Sequence, residues 1–187
     1  MTAVVGFYGK IPSRGDFVRA GLPNSFVEPW DAWLQTVLPA ARATLGDDWD
    51  AVWLEAPVWR FLLPAGQCGP ASVLGLWMPS LDAAGRHFPL TLAAAFPDDA
   101  VPASDAAEAW LDYAEEVGRD AIARDVPPKD LASRLVSGPT LCFQCPTATT
   151  RSARWWTEGG PFVSASTTEW SELLPANCFA ATVKTQG

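Results

Sequence analysis

A short basic segment near the start of the chain is the first candidate for chemistry. Residues 6–17 read Gly-Phe-Tyr-Gly-Lys-Ile-Pro-Ser-Arg-Gly-Asp-Phe. A glycine followed by a lysine is typical of loops that bind phosphate, because backbone N–H groups and the ammonium group both attract an anion. The P-loop motif also requires a glycine at position 4 and a serine or threonine at position 11. The chain has Val4 and Ile11 there, so this motif is absent.

The glycines of this segment do not form a dinucleotide-binding motif either, because Gly6, Gly9 and Gly15 lack its spacing. Their simpler interpretation is structural, since glycine allows backbone turns that other residues resist. Arg14 and Asp16 are close enough in sequence to form a local ion pair, which would add little stability at the surface. A phosphate or nucleotide site in this segment is therefore the less favoured interpretation.

Histidine occurs once, as His87, beside Arg86. A catalytic triad needs a histidine together with a nucleophile and an acid, and no such set is visible in the sequence. We therefore interpret His87 as a hydrogen-bonded residue at the start of a strand. The acidic residues are numerous but scattered, and no two of them have a spacing that indicates acid–base catalysis. The sequence thus predicts no catalytic residues.

The four cysteines include one pair with the spacing of a redox or metal-binding motif, Cys142 and Cys145. In thioredoxin-like proteins such a pair opens a helix directly after the first strand, whereas this pair lies late in the chain. A four-thiolate zinc site would also need Cys68 and Cys178, which are isolated rather than paired. We predict reduced and mostly buried thiols, with no metal and no cofactor.

The composition favours one globular domain over residues 1–187, with 49% hydrophobic and 18% charged residues. The net charge of −8 disfavours binding to nucleic acid or to anionic membranes, which would repel the chain. The sequence has no secretory signal and no stretch of about 18 apolar residues that could span a bilayer. We therefore expect a cytoplasmic protein with no direct membrane insertion.

Hydrophobic periodicity predicts an alternation of strands and helices. Strands are predicted over residues 3–8, 58–63, 71–78, 88–96, 141–145, 154–156 and 179–183. Helices are predicted over residues 25–38, 49–54, 105–124, 128–136 and 168–174. Asn24 or Ser25 should cap the first helix and Ser104 the third. Pro39 should kink or end the first helix, which could resume over residues 40–45.

Two of these strands, residues 71–78 and 88–96, are nearly continuous apolar runs. Such runs are typical of central strands that are covered on both faces. The alternation with amphipathic helices therefore predicts an α/β fold, with helices on both faces of a central sheet. Some antiparallel pairing is expected, because the turn between these two strands is too short for a helical crossover.

Three blocks of sequence resemble the TagF family, also called ImpM, whose members are associated with bacterial type VI secretion. The first block is residues 6–17, continued by Gly-Leu-Pro at 21–23 and Pro-Trp-Asp at 29–31. The second block, at 78–91, reads Met-Pro-Ser-Leu-Asp-Ala-Ala-Gly-Arg-His-Phe-Pro-Leu-Thr. The third reads Trp-Trp-Thr-Glu-Gly and ends at Gly159. Their spacing fits one family domain, and we expect no appended phosphatase domain of the kind that some relatives carry.

The resemblance implies a regulatory protein rather than an enzyme. TagF-like proteins are cytoplasmic accessory factors of the type VI secretion system. They repress its assembly or firing after translation, by binding a forkhead-associated scaffold protein. The family fold is an α/β fold, a three-layer αβα sandwich with a central mixed sheet, and it has no established catalytic site. The implied partner is therefore the scaffold protein, and no cofactor is implied.

Six polar residues of the first two blocks are candidate site residues: Lys10, Arg14, Asp16, Ser80, Asp82 and Arg86. A buried charge is costly unless it is paired. These residues therefore either brace two loops internally or contact a partner, and both roles stay open. We also expect the first block and the turn over residues 80–86 to lie close together.

Two other functions stay open beside that of a regulatory binding protein. One is an enzyme or sensor with an atypical nucleotide or phosphate site in residues 6–17. Another is a purely structural adaptor that is held in a complex. Calorimetric titration with nucleotides and phosphate would test the first, and co-purification with the scaffold protein would test the second.

Overall fold

A seven-stranded sheet forms the centre of the computed structural model, which describes residues 3–97, 100–144 and 152–185. Its strands are β1 (Val4–Gly9), β2 (Val18–Ala20), β3 (Trp59–Leu63), β4 (Ser72–Met78), β5 (Leu90–Phe96), β8 (Ala153–Thr157) and β9 (Ser166–Trp170), in the order β2-β1-β5-β4-β3-β8-β9. Strands β6 (Val101–Pro102) and β7 (Phe143–Gln144) form a separate pair. The helices are α1 (Asn24–Leu45), α2 (Trp49–Trp53), α3 (Ser104–Ala123), α4 (Pro128–Val136) and α5 (Ala176–Val183), and a 3-10 turn (Gly46–Asp48) joins the first two.

Every strand pair that the structure describes in the large sheet is antiparallel. The α/β class predicted from the sequence is confirmed, whereas parallel pairing, which a mixed sheet would include, is not found among the described residues. The reason lies in the connections. Strands β3, β4 and β5 follow one another through loops that contain no helix, and parallel neighbours require a long crossover connection.

Two hydrophobic cores, one on each face of the sheet, give the molecule three layers. Helices α1, α2 and α5 contribute to one core, and α3 and α4 contribute to the other. Side chains alternate between these cores along each strand: in β5, Leu92 and Ala94 lie beneath α3 and α4, whereas Ala93 lies in the core of α1. In the part of the chain that is described, none of the helices combines the length and apolar character needed to cross a membrane.

Trp30 ties α1 to the centre of the sheet. Its side chain is fully buried, and its ring centroid lies 5.4 Å from that of Phe26 and 4.8 Å from that of Phe61. The indole Nε1 donates a hydrogen bond to Thr91 Oγ1 at 3.0 Å. A buried indole N–H needs such an acceptor. This bond and the aromatic packing fix the position of α1 above β5.

The predicted N-caps are not found. Helices α1 and α3 start at Asn24 and Ser104 themselves, and neither has a side-chain hydrogen bond at its cap. Asn24 Oδ1 instead accepts a hydrogen bond from Arg19 Nη2 at 2.7 Å, so its side chain is engaged with β2. Helix α1 also continues through Pro39 without ending there.

The helix predicted over residues 168–174 is wrong. Strand β9 occupies the first part of this range and pairs with β8 at the edge of the sheet. Two β-branched residues, Thr167 and Thr168, suit a strand. The first four residues of β9 are exposed, so β9 has no buried apolar face of the kind that a packed helix needs.

The closing strand predicted over residues 179–183 is also wrong, because these residues form the second part of α5. Phe179, Ala180 and Val183 are buried whereas Ala181 is exposed, which is the pattern of one helical face. An apolar run this short does not distinguish a helix from a strand by its period.

Candidate functional site

Two loops that are far apart in the sequence meet at one end of the sheet. Lys10 Nζ lies 2.7 Å from Asp82 Oδ2, and Ser80 Oγ donates a hydrogen bond to the carbonyl oxygen of Lys10 at 2.8 Å. The expected proximity of the first block and the turn of the second is therefore confirmed. We call residues 10–17 and 80–87 the paired loops.

The strand register brings the paired loops together. Gly9, the last residue of β1, and Met78, the last residue of β4, both pair with Leu90, the first residue of β5. The loops that follow β1 and β4 therefore leave the sheet at the same end, on either side of β5. A backbone contact joins them directly, because the N–H of Ala83 donates to the carbonyl oxygen of Arg14 at 2.9 Å.

Asp82 is fully buried and accepts four hydrogen bonds within the paired loops. Its Oδ2 accepts from Lys10 Nζ and from Arg86 Nε, each at 2.7 Å. Its Oδ1 accepts from the backbone N–H groups of Ala84 and Arg86, each at 2.9 Å. Burial alone would raise the pKa of this carboxyl group, but the four donors outweigh burial and hold the pKa of Asp82 far below its usual range. Asp82 is therefore ionised at neutral pH.

The first-block glycines are required by close backbone packing. Gly9 has a φ of 144°, and a Cβ atom there would lie 2.0 Å from the carbonyl oxygen of Pro89. A Cβ atom on Gly6 would lie 2.1 Å from the carbonyl oxygen of Ala20. The ammonium group of Lys10 is held in the buried ion pair, so it does not face an open phosphate cradle. This geometry favours the structural interpretation of the glycines.

Gly9→Ala is expected to lower the free energy of unfolding by about 2–3 kcal/mol, because the methyl group would collide with the neighbouring backbone at a φ that favours glycine. Gly15→Ala is the matched control in the same block. A Cβ atom on Gly15 would meet nothing within 4 Å, so its effect should stay below about 0.5 kcal/mol. Urea unfolding followed by tryptophan fluorescence measures both, and equal losses would contradict the packing argument.

The outer face of the paired loops carries exposed charges. Arg14 and Asp16 are exposed, and within the described residues neither side chain has a hydrogen bond or an ion pair. The local ion pair that the sequence suggests between them is therefore not formed. Arg86 contributes to the same region, since its side chain is 65% exposed while its Nη2 donates to the carbonyl oxygen of Gly15 at 2.9 Å.

A half-exposed aromatic side chain completes this face. Phe17 is 43% exposed, with its ring centroid 5.5 Å from the stacked ring of Tyr8 and 4.8 Å from the edge-on ring of Phe88. Lys10 Nζ lies 5.0 Å from the centroid of Phe17. The Tyr8 hydroxyl donates to Asp31 Oδ1 on α1 at 2.5 Å. The face therefore combines an anchored aromatic ring with the charged groups of Arg14, Asp16 and Arg86.

His87 is a hydrogen-bonded residue just before β5, as its sequence context suggests. Its Nδ1 accepts a hydrogen bond from Trp49 Nε1 at 2.8 Å, and this arrangement requires a neutral imidazole. Burial lowers the pKa of His87, and the nearby charge of Arg42 lowers it further, although Asp50 opposes the shift. The contacts give His87 a structural role in attaching α2 to the second block.

The lowered pKa of His87 predicts a pH-dependent part of the stability. Unfolded histidine takes up a proton below about pH 6.5, whereas the folded imidazole stays neutral to lower pH. Stability should therefore fall as the pH drops below about 6.5. His87→Gln keeps an acceptor for Trp49 but does not titrate, so it should reduce the loss between about pH 7 and pH 5. Urea unfolding at both pH values checks this, and an unchanged loss in the variant would argue against the assignment.

The cysteines only partly match the prediction of buried thiols. Cys68 is buried, and burial raises the pKa of its thiol to about 12. Cys142 is exposed and Cys178 is half-buried, so the prediction is wrong for Cys142, which lies in the irregular segment directly before β7. Cys145 lies outside the described residues. Within residues 3–97, 100–144 and 152–185, no cluster of three or more His, Cys, Asp or Glu side chains could hold a metal ion.

One charged cluster was missed by sequence reasoning. Arg60 lies in β3 with its side chain only 10% exposed, and its guanidinium contacts Glu108, Asp112 and Glu115 of α3 at 3.0, 2.7 and 3.1 Å. The available signal was a single cation inside an apolar strand together with three acids on one face of a helix. The cluster attaches α3 to the sheet, on the opposite side from α1.

The comparisons with known proteins decide the family. The model of the TagF N-terminal domain, described as type VI secretion system-associated, matches residues 6–137. The chain belongs to this family. The crystal structure of PA0076 from Pseudomonas aeruginosa PAO1 is similar to this chain, with a TM-score of 0.86 and 30% sequence identity over 98% of this chain and 95% of that one. A search of curated proteins gives no match.

The TagF family match contains both paired loops, since they lie between residues 6 and 137. The third block, α5 and the edge of the sheet at β9 lie beyond that match. The structural similarity to PA0076 covers 98% of the chain, so the shared fold extends to this last part as well.

Proposed function

We propose that this TagF-family protein is a non-enzymatic accessory factor of the bacterial type VI secretion system that represses the system after translation. It acts in the cytoplasm by binding a forkhead-associated scaffold protein. One observation carries the proposal. In a chain of a type VI secretion-associated family, the paired loops present Arg14 and Asp16, exposed and unpaired within the described residues, above a buried ion pair.

The buried ion pair supports a binding role because it makes the surface rigid. The side chains of Lys10 and Asp82 are 8% and 0% exposed, so both charges have lost their hydration. Such a pair adds little net stability, since desolvation offsets the attraction between the charges. It does fix the conformation of the paired loops, and a preformed surface loses less entropy when a partner docks.

The alternative of an enzyme or sensor with a phosphate site in residues 6–17 has less support. The lysine that would bind the phosphate is engaged by Asp82. Gly6 and Gly9 are each packed against a neighbouring backbone, so their positions are explained without a ligand. Bracing contacts between the two loops involve four of the six candidate site residues, Lys10, Ser80, Asp82 and Arg86. Only Arg14 and Asp16 have side chains that are free, within the described residues, to contact a partner.

Purification of the protein together with the forkhead-associated scaffold of its own type VI system tests the proposal. The two proteins should form a stable complex, with a Kd in the micromolar range or below, and overexpression of this protein should reduce secretion without lowering the amount of scaffold. A failure to bind, with secretion unaffected, would overturn the proposal.

Titration calorimetry with ATP and with inorganic phosphate distinguishes the proposed binding protein from an enzyme or sensor with a phosphate site. The proposal expects no saturable heat from either compound. Saturable binding at micromolar concentration, lost in Lys10→Met, would favour the enzyme or sensor instead.

A further inference from the structure

Strand β9 and helix α5 enclose a pocket that the paired loops do not explain. Its volume is about 520 Å³, within the range of pockets that take small ligands or peptide side chains. Its walls come from Trp59 on β3, Thr168 and Trp170 on β9, and Cys178 and Ala181 on α5. None of the described residues that line it is charged.

The pocket lies beside an open edge of the sheet. In the strand order β9 comes last, so its backbone pairs with β8 on one side and, in the described part of the chain, has no neighbouring strand on the other. Ser166, Thr168 and Trp170 all line the pocket, because every second residue of a strand points to the same face. A strand added beside β9 would therefore also project alternate side chains toward the face on which α5 and the pocket lie.

The pocket walls are held in place by the fold. Trp59 Nε1 donates to the carbonyl oxygen of Thr182 on α5 at 2.9 Å, which ties the helix to the sheet. Trp33 Nε1 donates to the carbonyl oxygen of Leu174 at 2.8 Å, which ties the segment before α5 to α1. The groove between β9 and α5 is thus preformed, and an incoming segment need not open it.

We propose that the groove between β9 and α5 binds an extended, basic peptide segment of a partner protein. The segment adds to β9 as a further strand, and its apolar side chains enter the pocket at alternate positions. Main-chain hydrogen bonds to a sheet edge supply affinity in this mode of recognition, and a pocket for alternate side chains supplies specificity. The proposal concerns a surface distinct from the paired loops and does not depend on the proposed function.

The charge of the region favours a basic segment. Glu158, Glu169 and Glu172 lie in or beside the hairpin of β8 and β9, and within the described residues none of them forms a salt bridge. Residues 152–172 contain one basic side chain, Arg154, which pairs in register with Glu169, so this part of the chain keeps an excess of negative charge. A second copy of this chain, pairing through its own β9, would bring one Glu169 near another. Like charges on neighbouring strands are unfavourable, so self-pairing is the weaker alternative.

Fluorescence polarisation with four labelled heptapeptides tests the proposal. Each peptide alternates lysine with one apolar residue, which is valine, leucine, phenylalanine or tryptophan. At least one should bind the whole protein with a Kd below about 100 μM, and hydrogen exchange of the β9 amides should slow on binding. A peptide that alternates lysine with serine should bind at least about tenfold more weakly.

Two matched pairs of variants locate the binding. Ala181→Trp fills the pocket from an exposed position on α5 and should weaken binding at least about tenfold, whereas Ala43→Trp, at an exposed position on α1, should leave it unchanged. Glu169→Lys should weaken binding several-fold more than Glu28→Lys, which makes the same change of charge on α1. Circular dichroism confirms that each variant is folded.

Three results would overturn the inference. One is the absence of binding by all four peptides below about 1 mM. Another is binding as tight as that of the best peptide by either of two control peptides. The lysine–serine peptide lacks apolar side chains, and a version of the best peptide with alternate amides N-methylated lacks the donors for strand pairing. The third is wild-type affinity in Ala181→Trp. A concentration-dependent dimer that protects β9 would assign the edge to a second copy instead.

Discussion

Asp82→Asn is expected to lower the free energy of unfolding by about 3–5 kcal/mol, the usual cost of removing one partner of a buried ion pair. The carboxylate of Asp82 is fully buried and balances the ammonium group of Lys10. Asparagine keeps the shape but removes the negative charge, so the buried ammonium is left without its counter-ion. The amide also replaces one acceptor oxygen by an NH₂ group, which faces donors from Lys10 or Arg86.

Urea unfolding at pH 7 measures this loss, and Asp16→Asn is the matched control. Asp16 is exposed, so the same chemical change there should alter stability by less than about 0.5 kcal/mol. The double variant Lys10→Met with Asp82→Asn removes both charges and should regain part of the loss, because no buried charge is left uncompensated. If Asp82→Asn were as stable as the wild type, the paired loops would not be braced by this residue.

The pKa of Asp82 gives the same prediction a pH signature. Because the folded pKa is depressed below that of an unfolded aspartate, the bracing stabilises the fold above about pH 3.9 and is lost as the pH falls below that value. Asp82→Asn should lose this part of the acid sensitivity. The window lies below that of His87, which begins near pH 6.5, so the two contributions can be separated in one pH series.

The strands and helices with long apolar patterns could be predicted from the sequence. The period of α1 and α3 runs over several turns, and β4 and β5 are buried at every position. Short elements could not be predicted in this way. Strand β2 has only three residues. It forms because its backbone pairs with β1, with Phe7 opposite Ala20, and this pairing depends on tertiary structure rather than on a local sequence pattern.

The candidate site could be predicted in part. The residue types of the two blocks indicated either bracing or contact, but the division between them depends on which side chains point inward. Lys10 and Asp82 are 72 residues apart, and only the shared register of β1 and β4 with β5 brings them together. The same holds for Arg60, whose three acidic partners on α3 are 48, 52 and 55 residues away in the chain. No local pattern encodes such distances.

Arg14→Glu is expected to weaken binding to the forkhead-associated scaffold by about 100-fold. The side chain of Arg14 is exposed, so its reversal should leave stability unchanged within about 0.5 kcal/mol. At an interface, however, the partner should offer a negative charge that is complementary to Arg14. The glutamate would then face a like charge, and a like-charge contact costs several kcal/mol. A loss of about 2.7 kcal/mol corresponds to a factor of 100 in Kd.

The control for this variant is Lys129→Glu, which makes the same change of net charge at an exposed position on α4. Surface plasmon resonance with immobilised scaffold measures both, and a secretion assay in cells reports the repression. Arg14→Glu should lose binding and repression together, whereas Lys129→Glu should retain both. The contrast matters because a chain with a net charge of −8 could lose affinity through its overall field alone. If both variants weaken binding equally, the field explains the effect. If Arg14→Glu binds like the wild type, the scaffold docks elsewhere and the paired loops serve only to brace the fold.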